Sequence, residues 1–258
     1  MCRWLAYIGE PVTPEKYLYE EQFSLVAQSL RARKSVSIVN GDGFGLGWYG
    51  DKTEPGLFRD VLPAWRDENL SNLASQIKSP LFMAHVRAAT DTPSNRTNCH
   101  PFRCQKTLFM HNGQIGGYLT VRREIEALIS DEFYHYRNGT TDSEAIFLAL
   151  MSLQKNDSFP QSIEKIISAV NAIMKKHDVR EPFRMTAALS DGDSIHAVRY
   201  SSDEEPPTLF YEHSDGACLV VSEPLDNQLD QWQPVPKNHA LEIRSSECEP
   251  VLTPLSHI

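Results

Sequence analysis

Apolar positions in this chain change their rhythm twice. They come first in short runs closed by glycine or polar residues, then at helical spacing, then in short runs again. "CRWLAYIG" at 2–9 is such a run and predicts a strand. Residues 14–33 carry apolar positions at helical spacing, broken by Ser and Gln, and predict a helix over part of that length. "GDGFGLGWYG" at 41–50 predicts a glycine turn entering a strand, and "PLFMAHVRAAT" at 80–90 a buried strand with a polar tail. "KTLFMHNGQIGG" at 106–117 predicts a strand that ends in a glycine turn.

Helical periodicity then takes over. It predicts helices at 119–130, at 140–154 and at 159–177, the second opened by Thr141 with Glu144 three residues on, a capping signal. "FRMTAALSDGDSIHAVRYS" at 183–201 predicts two strands around an Asp-Gly turn. Further strands are predicted at 207–213, 217–225 and 239–246, and "SSDEEPP" at 201–207 reads as a hairpin loop. Strands, helices and strands again, without βαβ alternation, predict an α+β fold of packed antiparallel sheets. No repeat, low-complexity tract or linker divides the chain, so residues 1–258 are read as a single domain.

Composition narrows the function classes. The chain is 41% hydrophobic and 23% charged, as in ordinary globular enzymes, with a net charge of −9. No basic stripe marks a nucleic-acid partner. No apolar run approaches the ~20 residues of a membrane span, and no basic-then-apolar leader is present, so a cytoplasmic location is expected. Five scattered cysteines do not form a disulfide framework.

Four polar clusters sit at the edges of apolar strands or helix starts, where scaffolds place reactive groups: Cys2, "HVRAAT" at 85–90, "HNG" at 111–113 and "TDSE" at 141–144. Removal of Met1 would leave Cys2 with a thiol and a free α-amine on one carbon; the plain alternative is a buried apolar cysteine. Arg87, in an apolar run, is either a structural ion pair or a clamp on a substrate carboxylate. Asp142 is either a helix cap or an acceptor for a substrate ammonium. Asn112-Gly113 is either a turn or a pair of donors for a developing oxyanion. "NCHPFRC" at 98–104 with His111 offers Cys99, His100, Cys104 and His111 as metal ligands, but the spacing fits no usual zinc pattern. His100 is read instead as a residue beside the site, and no cofactor is implied.

Together with "GDGFGLGWY", "NCHPF" and "VVSEPL", these clusters form an ordered series that resembles the class II glutamine amidotransferase domain, an N-terminal-nucleophile hydrolase. The resemblance spans nearly the whole chain. It implies a four-layer αββα sandwich of two antiparallel sheets. It also implies Cys2 as nucleophile with its α-amine as base, Asn112 and Gly113 as oxyanion hole, Arg87 on the glutamine α-carboxylate, Asp142 on the α-ammonium, and Thr90 and His100 lining the pocket.

Many fused members carry Arg-Gly where this chain has Asn40-Gly41, and no synthase segment follows the pattern here. A stand-alone amidohydrolase is therefore expected, similar to the ergothioneine-biosynthesis group. The leading reading is hydrolysis of glutamine, with ammonia released or passed to a separate synthase. The alternatives are hydrolysis of a larger γ-glutamyl small molecule and a catalytically silent regulatory module.

Overall fold

In the computed structural model, residues 2–34, 39–89, 93–153, 157–214, 216–256 and 258 are described. The chain enters through β1 (Arg3–Val12), makes one helical turn at Lys16–Glu20 and forms the short helix α1 (Leu25–Leu30). The helical pattern of 14–33 is thus split. Ser24 starts a new helix there, its Oγ accepting from Ala27 N–H at 3.3 Å. Strands β2 (Phe44–Tyr49) and β3 (Gly56–Asp60), helix α2 (Glu68–Gln76) and strand β4 (Ser79–Val86) follow. Next come β5 (Phe102–Cys104), β6 (Thr107–Ile115) and helices α3 (Tyr118–Glu126), α4 (Asp131–Tyr134), α5 (Asp142–Leu153) and α6 (Phe159–Lys176). The chain closes with β7 (Phe183–Ser190), β8 (Ser194–Ser201), β9 (Phe210–Ser214), β10 (Ala217–Val221), β11 (Gln233–Pro234), β12 (His239–Arg244) and β13 (Val251–Pro254).

Two antiparallel sheets result. One runs β11-β9-β10-β1-β4-β2-β3, the other β13-β12-β8-β7-β6-β5. In β1, Trp4, Ala6 and Ile8 point into the layer between the sheets, where they meet Leu108 and Met110 of β6 and Ala188 of β7. Leu5 and Tyr7 point the other way, under Leu25 of α1 and Leu70 of α2. The far sheet repeats this alternation: Phe109, Phe183 and Met185 pack beneath Val121 of α3, Phe147 of α5 and Ile163 of α6. The central strands of both sheets are therefore buried on both faces, and the layers read helix, sheet, sheet, helix, as the resemblance implies. Among the described residues no helix is long and apolar enough to cross a membrane.

This sandwich places the beginning of β1 in the middle of its sheet. Arg3 pairs with Val86 of β4, so Cys2 lies beside the residues that follow β4. Beneath it, β1 and β4 pack on β6.

Candidate active site

Cys2 stands where the first sheet opens. Ala88 N–H donates to its Sγ at 3.4 Å, and Sγ lies 3.5 Å from Ala88 O. Burial pushes the thiol up from its ordinary value, against the Ala88 hydrogen bond and the positive charges of Arg87 and Arg3. A cavity of about 370 Å³ opens from this point and is lined by Cys2, Arg87, His100, Gly113 and Asp142.

Arg87 is buried just past the end of β4. Its guanidinium donates to the main-chain oxygens of Asp42 at 3.3 Å and Pro93 at 3.4 Å. Asp42 in turn braces the turn after Arg87, its Oδ2 accepting from Ala89 N–H at 2.8 Å.

Asp142 begins α5. Its Oδ1 accepts from Ser143 N–H at 2.7 Å and its Oδ2 from Ile115 N–H at 2.8 Å. It therefore caps its own helix and ties that helix to the end of β6. The Ser143 hydroxyl also donates to Oδ1, at 3.3 Å. A carboxylate offers about four lone-pair sites, so one acceptor position is left for the cavity.

The contact with Ile115 also orients β6. Residues two apart along a strand send their N–H groups the same way. Ile115 N–H leaves β6 on the edge away from β7, so Gly113 N–H leaves on that edge too. Strand β5 does not cover it, because its pairing with β6 reaches only Phe109. Gly113 has φ 148°, and a β-carbon there would overlap Arg184 O, so glycine is required. Asn112 precedes it, 1% exposed, with neither side-chain amide atom hydrogen-bonded among the described residues.

The family model for glutamine amidotransferases class-II matches residues 18–205, a span that includes Arg87, Asn112, Gly113 and Asp142. The chain belongs to the class II glutamine amidotransferases. It is 32% identical to "Probable glutamine amidotransferase DUG3" of Saccharomyces cerevisiae, over 95% of this chain and 82% of that protein. It is 25% identical to the "Gamma-glutamyl-hercynylcysteine sulfoxide hydrolase" of Mycolicibacterium smegmatis, over 99% of this chain and all of that protein. A solved structure of a glutamine aminotransferase class-II domain protein from Silicibacter pomeroyi superposes with a TM-score of 0.76 at 32% identity, covering 99% of this chain and all of the other. The protein is accordingly an enzyme of the amidohydrolase kind.

The structure of this amidotransferase adds the contacts of three histidines, which its sequence did not show. His85, His100 and His111 are all buried near the cavity. Burial holds His85 down to about 3, and it holds His100 and His111 below the ordinary histidine range as well, Asp142 opposing it at His111. The His85 and His100 rings stack at 4.3 Å, and His100 packs on Phe102 at 4.4 Å. His111 Nδ1 lies 2.8 Å from Ser143 Oγ, which braces the residue next to Asp142.

The metal reading of "NCHPFRC" finds no support. Cys99 Sγ faces the main-chain oxygens of Asp60 and Asn95, and Cys104 packs in the helix-side core. Among the described residues no three His, Cys, Asp or Glu side chains could hold a metal ion. Thr90 lies outside the described residues.

Proposed function

We propose that the enzyme cleaves the γ-amide of glutamine, or of a γ-glutamyl small molecule, through a thioester on Cys2. The observation that carries this reading is a single cavity shared by a thiol, a guanidinium, a carboxylate and an uncovered glycine N–H. Arg87 takes the substrate α-carboxylate and Asp142 the α-ammonium, which together select a free glutamate head group. His100 walls the pocket.

With Met1 removed, the Cys2 α-amine is the base. In an unburied residue an α-amine titrates near 8 and a thiol near 8.5, so the two are nearly matched. Burial that raises the thiol makes such a base necessary, since the thiolate is the nucleophile. The thiolate attacks the γ-carbonyl, and charge develops on its oxygen. The Asn112 amide and Gly113 N–H receive that charge. The amine passes its proton to the leaving nitrogen, ammonia or the conjugate amine departs, and water cleaves the thioester. Ammonia is then released or handed to a separate synthase.

The larger γ-glutamyl conjugate has its own support. The Mycolicibacterium smegmatis hydrolase named for such a conjugate aligns over its whole length, and the cavity continues past Asp142 to Tyr118, Leu119 and Glu181.

Intact mass after incubation with a glutamine-mimicking, cysteine-directed electrophile tests the reading. Loss of Met1 and one adduct are expected, and Cys2→Ala should fold, take no adduct and lose turnover. Normal turnover by Cys2→Ala would end the nucleophile assignment.

A further inference from the structure

We propose that Arg3 and Glu223 form a positioning pair that fixes the main chain of Cys2 for catalysis; this rests on the Cys2 reading above. Both residues are fully buried. Arg3 Nε donates to Glu223 Oε1 at 2.5 Å, and Arg3 Nη1 donates to the Cys2 carbonyl at 2.7 Å. A guanidinium presents its donors in a rigid planar fork. Seating one nitrogen on Glu223 therefore dictates where the other holds the Cys2 carbonyl.

Glu223 is itself fixed. Its Oε2 accepts from Arg33 N–H at 3.0 Å and its Oε1 from Lys34 N–H at 2.8 Å. The residue before it grips the other side of the same segment. Ser222 Oγ accepts from Trp4 N–H at 3.1 Å, and Ser222 N–H donates to Trp4 O at 3.0 Å. Residues 222 and 223 thus hold residues 2 to 4 by main chain and side chain together.

Stability alone does not call for this arrangement, because apolar residues of similar volume generally replace a buried ion pair without loss. The pair supplies two things that apolar residues cannot. Once Met1 is gone, Cys2 is tethered on its carbonyl side alone. A donor on that carbonyl fixes the peptide plane about which its amine and thiol swing. The guanidinium also places a permanent positive charge one peptide from the α-amine, which favours the neutral amine a base requires.

The test compares processed wild type with Arg3→Met, Glu223→Gln and the double variant. Read-outs are melting temperature, kcat, KM and the pH dependence of Cys2 alkylation by the glutamine mimic. Each single variant leaves one buried charge unpaired or one buried donor set short of its acceptor, and should melt early. The double variant removes both charges, and the amide introduced by Glu223→Gln keeps one acceptor oxygen for the N–H groups of Arg33 and Lys34, where the carboxylate gives each its own. It should melt above either single variant, yet keep a kcat lowered about tenfold or more by misplacement of the nucleophile. Its KM should be unchanged, and the acid limb of its alkylation profile should move to higher pH. A double variant with wild-type kcat and an unmoved acid limb overturns the pair's role while Cys2 stays the nucleophile. A processed wild type that takes no adduct overturns both. Should the double variant not fold, Arg3→Lys decides, since it keeps the charge and loses the fork. Slowed alkylation then supports the pair, and a wild-type rate overturns it.

Discussion

Replacing Asn112 by Ala removes an amide that has no hydrogen-bond partner among the described residues, so the fold loses little. If that amide serves the oxyanion, kcat should fall about 10²- to 10³-fold with KM nearly unchanged. Steady-state kinetics and a melting curve on one preparation separate the two effects, and an unaltered kcat would refute the role. Asp142→Asn should instead act on binding. It removes a charged acceptor for the substrate ammonium, so KM should rise about tenfold or more. An unchanged KM would reduce Asp142 to the helix cap its bonds to Ser143 and Ile115 already make it. Cys2, Arg87, His100, Gly113 and Asp142 line one cavity. Cys2, Arg87 and Asp142 stood out in sequence as reactive or charged groups at the edges of apolar runs, Gly113 only as half of a common turn dipeptide, and the resemblance supplied the grouping. Arg3 is a charged group of the same kind, but its partner lies 220 residues away, and no local pattern announces a pair that distant.

The start of α5 shows what an element adds to its residues. Thr141 caps as its sequence predicts, its Oγ1 accepting from Glu144 N–H at 3.2 Å. Glu144 does not fold back to complete the box. Its carboxylate accepts from Gly139 N–H at 2.7 Å and from Arg137 Nη1 at 2.6 Å, holding the loop that leads into Asp142. Both side chains are only 6% exposed. Arg137→Met should therefore cost about 3–5 kcal/mol by stranding a buried carboxylate. A urea midpoint close to wild type would contradict that. Helices α5 and α6 were readable because long apolar periods run through them. Helix α2 was not: it buries only Leu70 and Ala74, too few to mark a period, and depends on the Asp67 cap on Leu70 N–H.

Acid should act on the molecule as a whole. His85, held near 3 by burial, stays neutral in the native protein, whereas in the unfolded chain it titrates near 6.5. Between those values the unfolded chain binds the extra proton. Native stability therefore rises with pH across that window and falls on acidification, by up to ~1.4 kcal/mol per pH unit for one such histidine. His100 and His111 act with the same sign. The urea midpoint should drop from pH 7 to pH 5, and His85→Phe should flatten that slope; an equal slope in the variant would show that His85 takes no part. The α+β class and its two sheets could be read from strand and helix order. The strand order could not, because β1 pairs with β4 and β10, elements far along the chain. Leu5 opposes Val221, 216 residues later. At about 5–20 residues per second of synthesis, roughly 10–40 s separate the emergence of these two partners from the ribosome. On the proposed reading, the aminopeptidase that trims Met1 meets a segment whose β10 edge is still open, and the glutamate pocket closes over an amino terminus already finished. A tag or leader added ahead of residue 1 would block that order of events, so fusions to this enzyme belong at its other end.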